Sequence, residues 1–257
     1  MSEHLADEEP NFTAPKTGFN ETTGPANPTE EVLNDQTGQA RLLEILANPG
    51  PEMQTVRIST KAEEKDSPNG GNMPFLRLLG PKLVKAKVMD LFCGNNPFKE
   101  YFAREGNTGQ AVGVDLQNPA ADIQADVAKI TEIIPPDGQF DLVTSFGSHP
   151  GFESYSADSQ YLKPDGLYIY GASDEIYDED IQPDLDKFAT TPQETSAEMQ
   201  EAMRHFEPIV AVRVDGIRIS EDDPAEEPAD YTINKVYIIF RKRQSAAVDE
   251  SANSESV

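Results

Sequence analysis

Between Lys87 and Gly171, short apolar runs separated by helix-length stretches leave the chain few ways to fold. The runs are Lys87-Val88-Met89-Asp90-Leu91-Phe92, Ala111-Val112-Gly113-Val114-Asp115, Ile123 to Asp126, Phe140-Asp141-Leu142-Val143-Thr144-Ser145 and Leu167-Tyr168-Ile169-Tyr170-Gly171. They are nearly continuous in apolarity, the pattern of strands covered on both faces. The spacers are long enough for crossover helices, which makes the connections parallel. The expectation is a three-layer α/β domain with a doubly wound, mostly parallel sheet. A helix is expected near 97–105, and a short one between Asp126 and Pro135-Pro136. Lys163-Pro164-Asp165-Gly166 marks a turn before the fifth run.

The two ends of the chain differ from this pattern. Residues 194–206 read as a helix, and Ile209 to Val214 and Ile233 to Phe240 as strands with no helix between them, hence a terminal antiparallel pair. Residues 1–28 are rich in Pro, Thr, Asn and Glu and read as a disordered tail. Thr29-Glu30-Glu31 opens a helix that Asn48-Pro49-Gly50-Pro51 stops; residues 53–59 form a short strand and 61–72 a linker. The expected organisation is a tail (1–28), an accessory helix, strand and linker (29–72), a main domain (73–243) and a second tail (244–257).

Charge narrows the partners. Forty-six acidic residues stand against 21 basic ones, a formal net charge of −25. Such a chain repels phosphate backbones and anionic membranes, so nucleic acid and membrane are not expected partners. Asp174 to Asp186 and Glu221 to Asp230 carry carboxylates and no Lys or Arg. Both read as solvated loops, with a docking surface for a basic protein as the alternative. Cys93 is the only cysteine, so an intramolecular disulfide is ruled out. The polar start, Met1-Ser2-Glu3-His4, has no apolar signal core, and the expected location is cytoplasmic. His and Cys show no metal-ligand spacing, so no metal is expected.

The most informative stretch is Val88-Met89-Asp90-Leu91-Phe92-Cys93-Gly94-Asn95-Asn96. A strand, an acidic residue and a Gly-containing turn into a helix resemble the first motif of class I S-adenosylmethionine-dependent methyltransferases. Asp-Leu-Phe-Cys-Gly especially resembles members whose first glycine is replaced by an aromatic residue. A turn without side chains lets backbone approach a cofactor. The resemblance implies that Asp90 helps hold the cofactor's charged amino-acid end. The sequence departs from the family where Asn96 replaces a final glycine; Asn is the residue that best substitutes for Gly at positive φ.

Three further segments follow in the family's order. Asp115 ends the second run, where a carboxylate can accept from both ribose hydroxyls. Gln124-Ala125-Asp126-Val127 resembles the third motif, which implies that Asp126 accepts from the adenine amino group and that the Val127 amide reaches the ring. Phe140 to Val143 and Leu162 to Leu167 resemble the fourth strand and the turn into the fifth. The resemblance implies seven strands, S-adenosylmethionine as cofactor, and a binding set of Asp90, Phe92, Cys93, Gly94, Asn95, Asn96, Asp115, Leu116, Asp126, Val127 and Ser145. Taken by themselves, Asp115 and Asp126 have capping as their other reading, and Cys93 reads as a small packed residue.

Competing nucleotide fingerprints fail. Aligned on Gly94, a G-x-G-x-x-G pattern would place Phe92 and Pro97 at its outer glycines, and no Gly-Lys-Ser/Thr exists for a P-loop. The segment after the fourth strand, Ser145-Phe146-Gly147-Ser148-His149-Pro150-Gly151-Phe152, matches neither the Asn-Pro-Pro-Tyr nor the Pro-Cys type used on nucleic-acid bases. His149 is the candidate catalytic base there, because imidazole titrates near neutral pH; its other reading is a loop histidine bonded to backbone. The expected function is methyl transfer to a small molecule or protein. A catalytically inactive methyltransferase-like domain serving as a binding or assembly module is the alternative.

Overall fold

The computed structural model describes residues 32–60, 63–64, 71–146, 155–221 and 229–244, all within the compact unit Glu31–Val257. The expected tails (apart from Gln244), His149 and most of the second acidic stretch lie outside the described residues.

The order of elements is β1 (Val32–Leu33), α1 (Asp35–Ala47), β2 (Gln54–Ser59), β3 (Glu63–Glu64), α2 (Met73–Leu83), β4 (Lys87–Leu91), α3 (Pro97–Glu105), β5 (Gln110–Asp115), β6 (Ile123–Gln124), a 3-10 turn (Val127–Glu132), β7 (Phe140–Phe146), α4 (Tyr155–Tyr161) and β8 (Leu162–Ser173). Then come α5 (Asp174–Ile176), a π-helical turn (Tyr177–Ile181), α6 (Gln182–Thr190), a 3-10 turn (Pro192–Glu194), α7 (Ala197–His205), β9 (Phe206–Glu221) and β10 (Ala229–Lys242).

The strands form one mixed sheet in the order β1-β2-β9-β10-β8-β7-β4-β5-β6, with β3 also paired to β9. Every pairing among the described strands is parallel except those of β10, which runs against both β8 and β9. The expected α/β sheet is therefore present, with its antiparallel pair, β9 and β10. β4 to β10 are the seven expected strands, and β1, β2 and β3 extend the sheet beyond that number.

Successive residues of the central strands face opposite cores, as the pleat dictates. Val88, Leu142, Ile169, Val212 and Tyr237 pack with Leu42, Leu76 and Phe98 of α1–α3. Met89, Val143, Tyr168, Ala211 and Ile238 pack with Tyr161, Leu185 and Met203 of α4, α6 and α7. Both faces are covered, which is why the runs lack alternation.

Three local expectations need correction. Val32 and Leu33 do not open a helix; they pair with Arg57 and Ile58 as β1. α1 starts after Asn34, whose side chain accepts from the Thr37 amide. The acidic stretch Asp174 to Asp186 is helical rather than a loop. Tyr177, Ile181 and Leu185 recur every fourth residue and are buried, a helical face that counting charges conceals. Its carboxylates at the start of the helix favour the positive end of the dipole. The turn at 163–166 sits inside β8 as an irregularity: pairing runs from Phe140↔Leu162 directly to Leu142↔Leu167.

A candidate cofactor site at the strand switch point

From β4 the chain moves to β5 and β6 on one side, then returns to β7 on the other. Such a reversal opens a crevice at the carboxyl ends of β4 and β7, the place where open α/β sheets bind ligands. The segment that crosses it is residues 92–96. Phe92 (φ 55°), Gly94 (φ 47°) and Asn96 (φ 58°) alternate in the left-handed region. A bulky residue there is strained, and such strain persists only where surrounding structure fixes it. Here the Cys93 amide donates to the Val114 carbonyl at 3.1 Å, and the Asn96 amide to the Cys93 carbonyl at 2.7 Å. Phe92 also packs against the core on the α7 side. Phe92 thus holds a backbone conformation that ordinarily favours glycine. A Cβ on Gly94 would meet no atom within 4 Å, so this residue faces open space.

Asn96 serves α3. Its side chain accepts from the Lys99 amide at 3.3 Å as the helix N-cap and donates to Asp122 Oδ2 at 3.4 Å. It is buried and turned toward Gly113, where an added Cβ would lie 2.4 Å from Asn96 Nδ2 and 2.7 Å from Cys93 Sγ. The side chain therefore points under the turn, away from the open side of Gly94. Gly113 and Asp122 were not singled out in the sequence. A glycine inside a strand pattern is a signal of close approach, and Gly113 carries it. Asp122 carried none; it accepts from the Gly113 amide at 2.8 Å and pairs with Lys99.

Four carboxylates line this region. Asp90 is fully buried opposite Thr144, whose hydroxyl donates to Oδ1 at 2.7 Å. Its Oδ2 has no partner among the described residues. Burial pushes the Asp90 carboxyl up to about 7, against the Thr144 hydrogen bond and with help from Asp115. Asp115 ends β5. Its Oδ2 accepts from the Gly94 amide at 3.1 Å, and Oδ1 from the Gln117 and Asn118 amides at 2.8 and 2.9 Å. Partial burial raises its pKa, but the three amides outweigh that and hold it below the ordinary value. Asp122 is likewise raised by burial and lowered further by Lys99 and the Gly113 amide. Asp126 caps the 3-10 turn, accepting from the Ala128 amide at 3.0 Å.

The remaining residues divide. Leu116, beside Asp115, is 57% exposed, an apolar surface on the crevice side of β5. Asn95 accepts from Asn118 at 3.3 Å across the crevice. Ser145 is fully buried with its Oγ unpartnered among the described residues, but Asp90 and Ser145 face opposite sides of the sheet, since Leu91 is the residue paired with Ser145. Val127 is buried. Burial, then Asp90, Asp115 and Asp122, push the Cys93 thiol up to about 12, so it stays protonated and is not a nucleophile. Among the described residues no group of three or more His, Cys, Asp or Glu is placed to hold a metal.

This arrangement suits a cation. Asp90, Asp115 and Asp122 converge on the turn, and the N-terminus of α3, the usual phosphate seat, is plugged: Pro97 has no amide and the Lys99 amide is taken by Asn96. A pyrophosphate would meet carboxylates where it needs donors. Asp90 Oδ2, buried and without a partner among the described residues, is the oxygen that an ammonium or sulfonium group would satisfy.

No protein-family model matches the chain, and no curated protein matches it. Among solved structures it is similar to a TehB-like S-adenosylmethionine-dependent methyltransferase from Corynebacterium glutamicum (16% identity, 81% of this chain and 98% of that one, TM-score 0.43). It is also similar to a S-adenosylmethionine-dependent methyltransferase from Archaeoglobus fulgidus (15%, 66% and 91%, TM-score 0.40). A third is a 16S rRNA (adenine(1408)-N(1))-methyltransferase mutant from Catenulisporales acidiphilia (13%, 63% and 90%, TM-score 0.41).

Proposed function

We propose that this chain is a class I S-adenosylmethionine-dependent methyltransferase acting on a small molecule or a protein. The observation that supports it most is the turn 92–96 at the switch point, backbone-open at Gly94 and flanked by the unpaired Asp90 Oδ2. The carboxylates around the turn suit the cofactor's positive charge. Asp90 would hold the ammonium of the amino-acid end, the Gly94 turn would lie against it, Asp115 would accept from a ribose hydroxyl, and Leu116 would cover one face of the adenine. When bound, the cofactor supplies an electrophilic methyl group on a sulfonium, so the reaction is a displacement. The chain's part is to position the reactants and exclude water. His149 would take a proton from acceptors that need a base.

The alternative, a binding module without catalysis, draws on Asp115. Three amides fill three of the four lone-pair positions of its carboxylate, which leaves room for one ribose hydroxyl rather than two.

Calorimetry with S-adenosylmethionine and S-adenosylhomocysteine tests the cofactor site, and methyl transfer to a candidate acceptor separates the enzyme from a binding module. The expected result is roughly micromolar binding, lost by at least about tenfold in Asp115→Ala, a change of ~1.4 kcal/mol. A folded protein that binds neither compound at millimolar concentration is not this enzyme.

A further inference from the structure

Lys235 is a cation that the proposed cofactor site does not use. It lies on β10 opposite Ser173, the last residue of β8, and so at the same carboxyl edge as the switch point. A bulge sets it there. Between Ile233↔Ile217 and Lys235↔Val214 the single residue Asn234 faces both Asp215 and Gly216. Gly216 has φ 78°, and its amide donates to Asn234 Oδ1 at 3.1 Å, while Asn234 Nδ2 donates to Asp174 at 3.0 Å. Bulges of this kind re-aim side chains beside active sites.

The ammonium group is under-satisfied. Lys235 Nζ donates to Asn72 Oδ1 at 3.0 Å, an oxygen it shares with the Tyr237 hydroxyl, also at 3.0 Å. Among the described residues no carboxylate pairs with it, although the chain carries 46. Burial pulls its pKa down to about 8, with no anion to restore it. Asn72 heads α2 without capping it, since its side chain is spent on Lys235 and Tyr237. Uncapped amide donors at that helix start therefore add to the local positive field. Lys235 and Tyr237 share the face of the sheet that carries Asp90. β8 and β7 separate β10 from β4, and Asp90 is level with Thr144, Ile169 and Ile239, four residues short of Lys235, so the two backbone positions stand about 20 Å apart, three strand spacings across and four residues along, a span for a cofactor and a small acceptor together.

We infer that Lys235 anchors an oxyanion, carboxylate or phosphate, of the methyl acceptor at the carboxyl edge of β10. The inference rests on the methyltransferase reading, and its test is separable from it. The full-length protein, labelled at lysine side chains, is titrated with acetate and with inorganic phosphate while the Lys235 resonance, assigned by its loss in Lys235→Met, is followed by NMR. Saturable shifts at roughly millimolar anion are expected, and they should persist when S-adenosylhomocysteine is present. A response to acetate alone marks a carboxylate acceptor, to phosphate alone a phosphorylated one; a response to both leaves the oxyanion assignment standing. No Lys235 response, or displacement of the anion by S-adenosylhomocysteine, overturns the assignment. If Lys235→Met does not fold, Asn72→Ala provides the assignment by shifting the same resonance. Failure of S-adenosylhomocysteine to bind in the parallel calorimetry fails the cofactor reading instead, whatever the anions do.

Discussion

Asp90 is where stability and binding oppose each other. Its carboxyl is raised from 3.8 to about 7 in the folded chain. Below the unfolded value both states hold the proton and nothing is lost. Between the two values only the folded state keeps it, so stability falls as pH rises, by up to about 4 kcal/mol at ~1.4 kcal/mol per unit. Asp90→Asn should therefore leave stability nearly unchanged at about pH 4 and increase it at about pH 8, as read by urea unfolding; an equal effect at both would show that the carboxyl is not raised. The same substitution should weaken S-adenosylmethionine binding. A second residue-scale expectation concerns Gly113. Its added Cβ would overlap Asn96 Nδ2 and Cys93 Sγ, so Gly113→Ala should cost ~1–3 kcal/mol and reduce cofactor affinity, because the disturbed residues are those of the turn. Loss of stability with unchanged affinity would separate the turn from the site.

Among the elements, each is legible in the sequence only as far as its own local signals reach. α3 was expected at 97–105 and spans Pro97–Glu105, because Pro at the first turn and Gly106 at the C-cap punctuate it on both sides. β9 was expected over Ile209 to Val214 and runs from Phe206 to Glu221. The extra length comes from β10, which pairs along almost all of it, and a partner strand is not visible in local apolarity. α5, the π turn and α6 were missed because acidic residues at most of the exposed positions between Asp174 and Asp186 hid a four-residue apolar repeat. The turn 92–96 was legible as a motif. That Phe92 and Asn96 both hold positive φ depends on hydrogen bonds to β5 and on the Asp122 network.

At the level of the whole molecule, residues 32–60 belong to the sheet. β2 pairs in parallel with β9 over six residues, and Leu42, Ile45, Val56 and Ile58 sit in the same core as Val210, Val212 and Val214. Arg57 pairs with Asp215 at 2.5 Å across that seam. A fragment beginning at Met73 would expose the apolar face and the open edge of β9, a template for association. It should be insoluble or molten, shown by lost near-ultraviolet dichroism and by dye binding; a soluble fragment with a cooperative unfolding transition would make residues 32–60 a true accessory.

By itself the sequence determined the class of sheet, the position of the Gly94 turn, the order of the acidic residues and the sign of the charge. All of these reside in local patterns, in apolar runs, turn residues and side-chain chemistry, which need no partner to be recognised. Only the tertiary structure decided which way Asn96 points, how the Asp115 carboxylate is occupied, that Gly113 and Asp122 brace the turn, and that Lys235 at the carboxyl edge has no carboxylate partner among the described residues. Those facts depend on contacts between residues far apart in the chain, such as Lys235 and Asn72. Residue spacing along the chain carries no record of such contacts.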